Sequence, residues 1–460
     1  MSERLTTFVH TKGAVFLLTL VPAAILLLLR PIGMDLRQSA VLAVLVVTIL
    51  WWITGVVERT IASAFLLLVF LLISGAPVKT VFTFPLSENF LLIVFSFLFS
   101  QGISNSGLVD RLLQPMLNRF GRTPLRLVGM MVLSAFVMAF IIPQPFSRII
   151  LLSLIYDNYL TRMGLEHERK AALMLGLYLV SILVNMTMIR GDIILNNALL
   201  TMSGVAMSEG TWMTYMTVPT LLYLVLALGL YFVLFRVPLQ ESRPLLDVPQ
   251  TQDHKGRISN EEKRNLILIL LTVAIWTTEE LHGLSGTIIV IAATLLMIPF
   301  GMLKRPDLKA VNLKLLVFLT AAFSIGGTLN TCGVADKLFS LFAKAFPDTF
   351  SLPYILLVLA ASILLHMLLG SNITTMSVVV PGLMTIGAGT APAHVLLFLI
   401  YIAVCGHFVL PFHHVVILLG EGKGYYSTKE LLRFGLPHTI LTVATVLVVY
   451  LTWWRVMGLF

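Results

Sequence analysis

The chain has 460 residues, of which 58% are hydrophobic and only 12% charged. A soluble domain carries about 25% charged residues, so this composition excludes a water-soluble globule of this size. The net charge of +9 comes from Lys and Arg gathered in short loops between apolar runs. No basic stripe is interleaved with exposed aromatics, which excludes a nucleic-acid-binding surface.

The apolar runs are close to the roughly 20 residues that a helix needs to cross about 30 Å of hydrocarbon. They do not alternate in polarity as barrel strands do, so they predict spanning helices. The first run, 14–30, is followed by Arg30-Pro31 and not by a small-residue cleavage site, and reads as a membrane helix. Further runs follow at 39–57, 60–75 and 88–107. The next, 126–160, is interrupted by Pro143-Gln144-Pro145-Phe146-Ser147-Arg148. Each arm is near or below spanning length and a polar tip lies between them, the pattern of a re-entrant helical hairpin. Two plain spans joined by a tight turn are the alternative.

Runs at 170–189 and 212–235 close the first half. The most polar stretch, Gln240–Arg264, divides the chain nearly in two and reads as a linker. Then come 264–281, 286–303 and 314–332, a second interrupted run at 352–388 broken by Gly370-Ser371-Asn372-Ile373-Thr374-Thr375, and runs at 393–412 and 436–457. Cys332 and Cys405 both lie in apolar segments and read as buried thiols.

The halves resemble each other. Ser106-Gly107-Leu108-Val109-Asp110-Arg111-Leu112 matches Cys332-Gly333-Val334-Ala335-Asp336-Lys337-Leu338 at an offset of 226 residues, and the two interrupted runs coincide at the same offset. Trp52-Ile53-Thr54 pairs with Trp276-Thr277-Thr278 at 224. Matches in register predict a duplication. The expected fold is an all-α polytopic membrane protein: two inverted repeats, about 11 transmembrane helices and two re-entrant hairpins. Its divisions are an N-terminal segment 1–38 with the first helix, repeat 1 over 39–236, a cytoplasmic linker 237–263 and repeat 2 over 264–460. With the N-terminus inside, 23 of the 31 Lys and Arg fall inside, six outside, and Arg148 and Arg190 within the membrane. That bias predicts a cytoplasmic N-terminus in an inner (cytoplasmic) membrane.

Polar groups at membrane depth are the functional candidates. In the second hairpin, Ser371 or Asn372 can cap a helix starting at Ile373, with Thr374 and Thr375 in its first turn. Its free N–H groups and positive dipole end would form an anion site. The alternative is that these groups satisfy only their own backbone. In the first hairpin, Gln144 and Ser147 sit at the tip, and Ser147 can cap a helix running from Arg148. The guanidinium fork of Arg148 suits a carboxylate or sulfate. It could instead pair with an acid of its own half, Asp192 first and Asp157 second.

Asn185-Met186-Thr187-Met188-Ile189-Arg190-Gly191-Asp192 and Pro411-Phe412-His413-His414 read as broken helices beside the hairpins. Asn185, Thr187, Arg190, Asp192, His413 and His414 are candidates for ion binding or coupling. No metal site is expected, because HExxH and clustered Cys or acid ligands are missing. Gly420-Glu421-Gly422-Lys423-Gly424 is not a P-loop. No nucleophile–base pair suggests an enzyme.

These motifs together resemble the divalent-anion/sodium symporter (DASS) family, which carries dicarboxylates, citrate or sulfate. Trp51-Trp52-Ile53-Thr54 is similar to its early Trp-Trp-x-Thr signature, and Gly370 to Thr375 followed by Pro381 to its second Ser-Asn-Thr hairpin. Leu410-Pro411 resembles the opening of its second broken helix. Gly424-Tyr425-Tyr426 through Gly435-Leu436-Pro437 resembles the stretch before its last helix. The resemblance covers nearly the whole chain. It implies a secondary transporter of small divalent anions, dicarboxylate first, dimeric and elevator-like, with the substrate held by the hairpin tips and Pro411. A channel or a non-transporting relative is the alternative. The chain departs from the family where the resemblance implies sodium binding. Ser147-Arg148 replaces the first Ser-Asn-Thr, Ile373 stands for a Thr, and Arg190-Gly191-Asp192 and His413-His414-Val415 replace the two Thr-Pro-Pro-Asn-like breaks. Na+ is therefore a doubtful cofactor for this chain.

Overall fold

A computed structural model describes residues 12–121, 123–142, 144–240, 259–369 and 371–460. Pro143 and Gly370 at the two tips, and linker residues 241–258, lie outside the described residues.

Among the described residues every regular element is helical. Five helices have the length and hydropathy to cross a membrane, and further apolar helices are shorter. Their outer faces carry large apolar side chains that a soluble protein would bury. Leu28 is 82% exposed, Val225 65% and Ile440 73%. Such a girdle suits hydrocarbon and not water, and the chain is a multi-pass α-helical membrane protein.

The element order of the first half recurs in the second. Leu36–Thr54, Arg59–Ile73, Glu88–Asn105 and Leu108–Phe120 lead to the pair Pro124–Ile141 and Pro145–Arg162. Then follow His167–Asn185, a short turn Ile189–Asp192, Leu195–Ser203 and Glu209–Leu234. In the second half the same series reads Asn260–Thr277, Gly286–Met297, Leu313–Thr331 and Val334–Ala343, then the pair Leu352–Leu369 and Asn372–Ile386. Ala393–Cys405, Pro411–His413, Val415–Gly422 and a long last helix from Thr428 to Val456 complete it.

Packing is reciprocal. Arg59–Ile73 lies against Leu313–Thr331, and its counterpart Gly286–Met297 lies against Glu88–Asn105. Each half thus supplies one helix to the other's pair, and this interlocked layer is one side of the molecule. Its Trp signature is structural. Trp51 Nε1 donates to Thr19 Oγ1 at 3.0 Å, and Trp52 Nε1 to Ser63 Oγ at 3.1 Å, while the Trp52 ring meets Phe318 edge-on at 4.9 Å. The other side holds the two helix pairs around His167–Asn185 and Ala393–Cys405. These two helices are buried all round, from Ala171 to Asn185 and from Val395 to Cys405, as expected for helices apolar on every face. Leu108–Phe120 joins the halves through an ion pair from Arg111 to Glu262 at the start of Asn260–Thr277.

Candidate functional site

Both helix pairs turn at a polar tip inside this bundle. In the first, the incoming helix ends at Ile141, and a new one starts at Pro145. Proline suits a first helical position, where its missing N–H costs nothing. The helix therefore begins three residues earlier than a Ser147 cap predicts, and Arg148 N donates to Gln144 O at 3.2 Å. Ser147 falls within the first turn, and its side chain lies outside the described residues. Gln144 and Arg148 are both buried.

Arg148 points neither at a carboxylate nor into open space. Nη1 donates to the Ile142 carbonyl at 2.7 Å, and Nη2 donates to Asn185 Oδ1 and to the Gly191 carbonyl. Three neutral oxygens, from the tip, the end of His167–Asn185 and the turn after it, converge on one cation. The alternative pairing with Asp192 is not a contact ion pair: among the described residues none within 4.0 Å joins them. Asp192 instead accepts from the N–H of Leu195, the first residue of Leu195–Ser203, at 3.0 Å. Asp157, the second acid considered, pairs with Lys170 at 2.6 Å.

The first break is built to leave few carbonyls unpaired. Asn196 Nδ2 donates to the carbonyls of Asn185, Met188 and Ile189 at 3.0–3.2 Å, and its Oδ1 accepts from Tyr401 of the second half at 2.6 Å. A Cβ at Gly191 would lie 2.3 Å from the Asn185 carbonyl oxygen, so only glycine fits this turn. The Thr187 hydroxyl is spent on Val184 O at 2.7 Å. Arg190 leaves the break and reaches the interlocked layer. It pairs with Glu209 at 3.5 Å, donates to Trp276 O at 3.3 Å and stacks over the Trp276 ring at 5.2 Å.

At the second tip, Ser371 occupies the N-cap position of Asn372–Ile386. Its hydroxyl makes no cap bond. The hydroxyls of Ser371, Thr374 and Thr375 are buried and have no hydrogen-bond partner among the described residues. Asn372 is 3% exposed. Buried polar atoms almost always find partners. Three such hydroxyls fall within five residues, at the positive end of a helix.

The second break is held by histidines. The rings of His366, His407 and His413 lie 5.0–5.2 Å apart. His366 Nε2 donates to the His413 carbonyl at 3.0 Å. His413 Nδ1 accepts from Val409 N and Leu410 N, and His414 Nδ1 from Val416 N, all at 3.2 Å. Pro411 is buried at the start of the short turn. His366, His407 and Asn196 were not flagged by the sequence. The available signal was position: His366 precedes Ser371 by five residues.

Two cavities flank the bundle. One, of about 540 Å³, is lined by Glu88, Leu92, Arg190, Glu209, Trp276 and the segment from Ser285 to Thr287. The other, of about 620 Å³, is lined by Lys314, Phe318, Glu58 to Thr60, Leu418 and Lys423. Ser285, Thr287, Lys314 and Phe318 match Glu58, Thr60, Glu88 and Leu92 at the repeat offset of 226 or 227. The cavities are thus repeat counterparts. Neither is lined by the Ser371, Thr374 or Thr375 hydroxyls.

The family model for the sodium:sulfate symporter transmembrane region matches residues 10–460, nearly the whole chain. No curated protein matches the chain.

Proposed function

We propose, from the fact that the chain belongs to the sodium:sulfate symporter family, a secondary transporter that carries a small divalent anion, a dicarboxylate first, bound at the second tip. The family makes it a sodium/anion-symporter-type transporter; the anion, the site and the coupling are our reading. The observation that carries it is the set of three unpartnered, buried hydroxyls of Ser371, Thr374 and Thr375 at a helix N-terminus. An anion oxygen accepts what these donors offer. Asn372 completes the tip.

Because the hydroxyls are buried away from both cavities, an anion reaches them only when the helix pair moves against the interlocked layer. Repeat-equivalent cavities of about 540 and 620 Å³ support such movement toward either face, as in an elevator with the N-terminus cytoplasmic. A homodimer in the inner membrane completes the reading. Coupling differs at the first tip. There Arg148 fills a three-oxygen cage with a tethered guanidinium, a fixed charge where a mobile sodium ion would otherwise be needed. Transport is therefore sodium-independent at that site.

Thr375→Val tests the site. It keeps the shape and removes one orphan hydroxyl, whose burial costs about 1–3 kcal/mol. The ligand-free variant should be as stable as the parent or more so. Its binding of sulfate or succinate by calorimetry should weaken roughly 10- to 150-fold, the worth of one hydrogen bond to a charged group. Unchanged affinity for whichever anion the parent binds removes Thr375 from the site.

A further inference from the structure

The hydrogen bonds of the second break fix where protons sit on its histidines. A carbonyl can only accept, so His366 Nε2 carries a proton toward His413 O. His413 Nδ1 receives two backbone N–H groups, and His414 Nδ1 receives one, so these nitrogens carry none. His366 Nδ1 lies 3.2 Å from His407 Nδ1. One of the two must donate. In the neutral arrangement His407 Nδ1–H donates to His366 Nδ1, and His407 Nε2 keeps its lone pair.

This arrangement can take one more proton without losing a bond. Protonation of His407 at Nε2 makes it an imidazolium, and its Nδ1–H···Nδ1 bond to His366 becomes charge-assisted and stronger. A proton on His413 Nδ1 would instead evict the Val409 and Leu410 N–H groups. The elements packed around the pair bring His413, His414 and His438 toward it, with Tyr223 stacked on His438, and place Cys405 two residues before His407. Asn372–Ile386 carries no ionisable residue. The charges of Leu36–Thr54 and Thr428–Thr445 (Arg37; Lys429, Glu430, Arg433) sit in their first two turns. Among the described residues no His, Cys, Asp and Glu cluster is arranged for a metal ion.

We infer that the His366–His407 pair is a one-proton site that loads together with the anion. Among the described residues no carboxylate pairs with either ring, so the added charge needs a counter-charge. His366 stands five residues before Ser371, in the last turn of the helix Leu352–Leu369 that leads to the tip. A dianion at the Ser371–Thr375 hydroxyls supplies that counter-charge, and by linkage each ligand tightens the other. The inference rests on the anion site proposed above. It makes the transporter a proton–anion symporter.

The test uses the full-length protein in weakly buffered detergent with a pH-indicator dye, with sulfate and succinate as probes and calorimetry as the binding readout. About one proton should be taken up per anion bound, and affinity should fall by up to about tenfold per pH unit as pH rises through the site's titration. His366→Gln and His407→Gln should abolish the uptake; at position 366 the Gln amide still donates to the His413 carbonyl. Anion binding by the unaltered protein without proton uptake overturns the proton site and leaves the anion site standing, whatever the variants do. Uptake that survives in both variants, with folding verified by melting temperature, overturns it as well. If neither probe binds at any pH, the anion site falls and takes the proton inference with it.

Discussion

At the residue scale, Arg148 is the most consequential side chain. The sequence marked it because an arginine at membrane depth demands a reason. Its partners were not legible, since two are backbone carbonyls, Ile142 O and Gly191 O, and the third is an amide 37 residues away. Periodicity and charge say nothing about carbonyls. Arg148→Gln leaves these oxygens around a missing cation. Each charge-assisted bond is worth about 1.5–3 kcal/mol, so a stability loss of at least about 3 kcal/mol is expected, read as melting temperature in detergent. Arg148→Lys keeps the charge but cannot reach three oxygens with one planar fork, and should fall between. A well-folded Arg148→Gln protein of unchanged stability would show that the cage needs no cation. The histidines teach a related lesson. His413 and His414 drew attention as a pair in sequence; both spend a ring nitrogen on backbone N–H groups, and a ring-nitrogen contact of 3.2 Å lies between His366 and His407.

At the element scale, the interrupted runs were readable because Pro143, Pro145 and the Gly370-Ser371-Asn372 run forbid continuous apolar helices. The exact starts were not. Pro145 opens its helix and displaces the Ser147 cap, a choice made by the N1 preference of proline. The break after Asn185 was readable from Gly191, and the structure adds the reason: the turn is so tight that a methyl group would strike the Asn185 carbonyl at 2.3 Å. The role of Asn196, pairing three carbonyls at that break, was not legible because it lies between the apolar runs and its partners are backbone carbonyls. Gly191→Ala should open the turn, at a cost of about 1–3 kcal/mol or more, and should also loosen Arg148 through its bond to the Gly191 carbonyl. A melting temperature unchanged in Gly191→Ala would mean the turn relaxes freely and is not a fixed part of the cage.

At the scale of the whole molecule, the duplication seen in three short matches reappears as reciprocal packing and as two repeat-equivalent cavities. The excess of Lys and Arg in one set of loops predicts Asn260 in the cytoplasm and Phe460 outside. In a Cys332→Ser background, an impermeant thiol reagent added to intact cells should label Phe460→Cys and not Asn260→Cys; the reverse pattern overturns the orientation. An anion carrier with Arg148 held at its first tip should transport without sodium. This is tested most directly by uptake of radiolabelled succinate and sulfate into proteoliposomes holding the purified protein, with sodium or choline as the external cation. Saturable, concentrative uptake of at least one of these anions is expected, driven by an inward proton gradient and equal in sodium and choline. Uptake that requires sodium, or flux that never concentrates the anion above its external level, contradicts it.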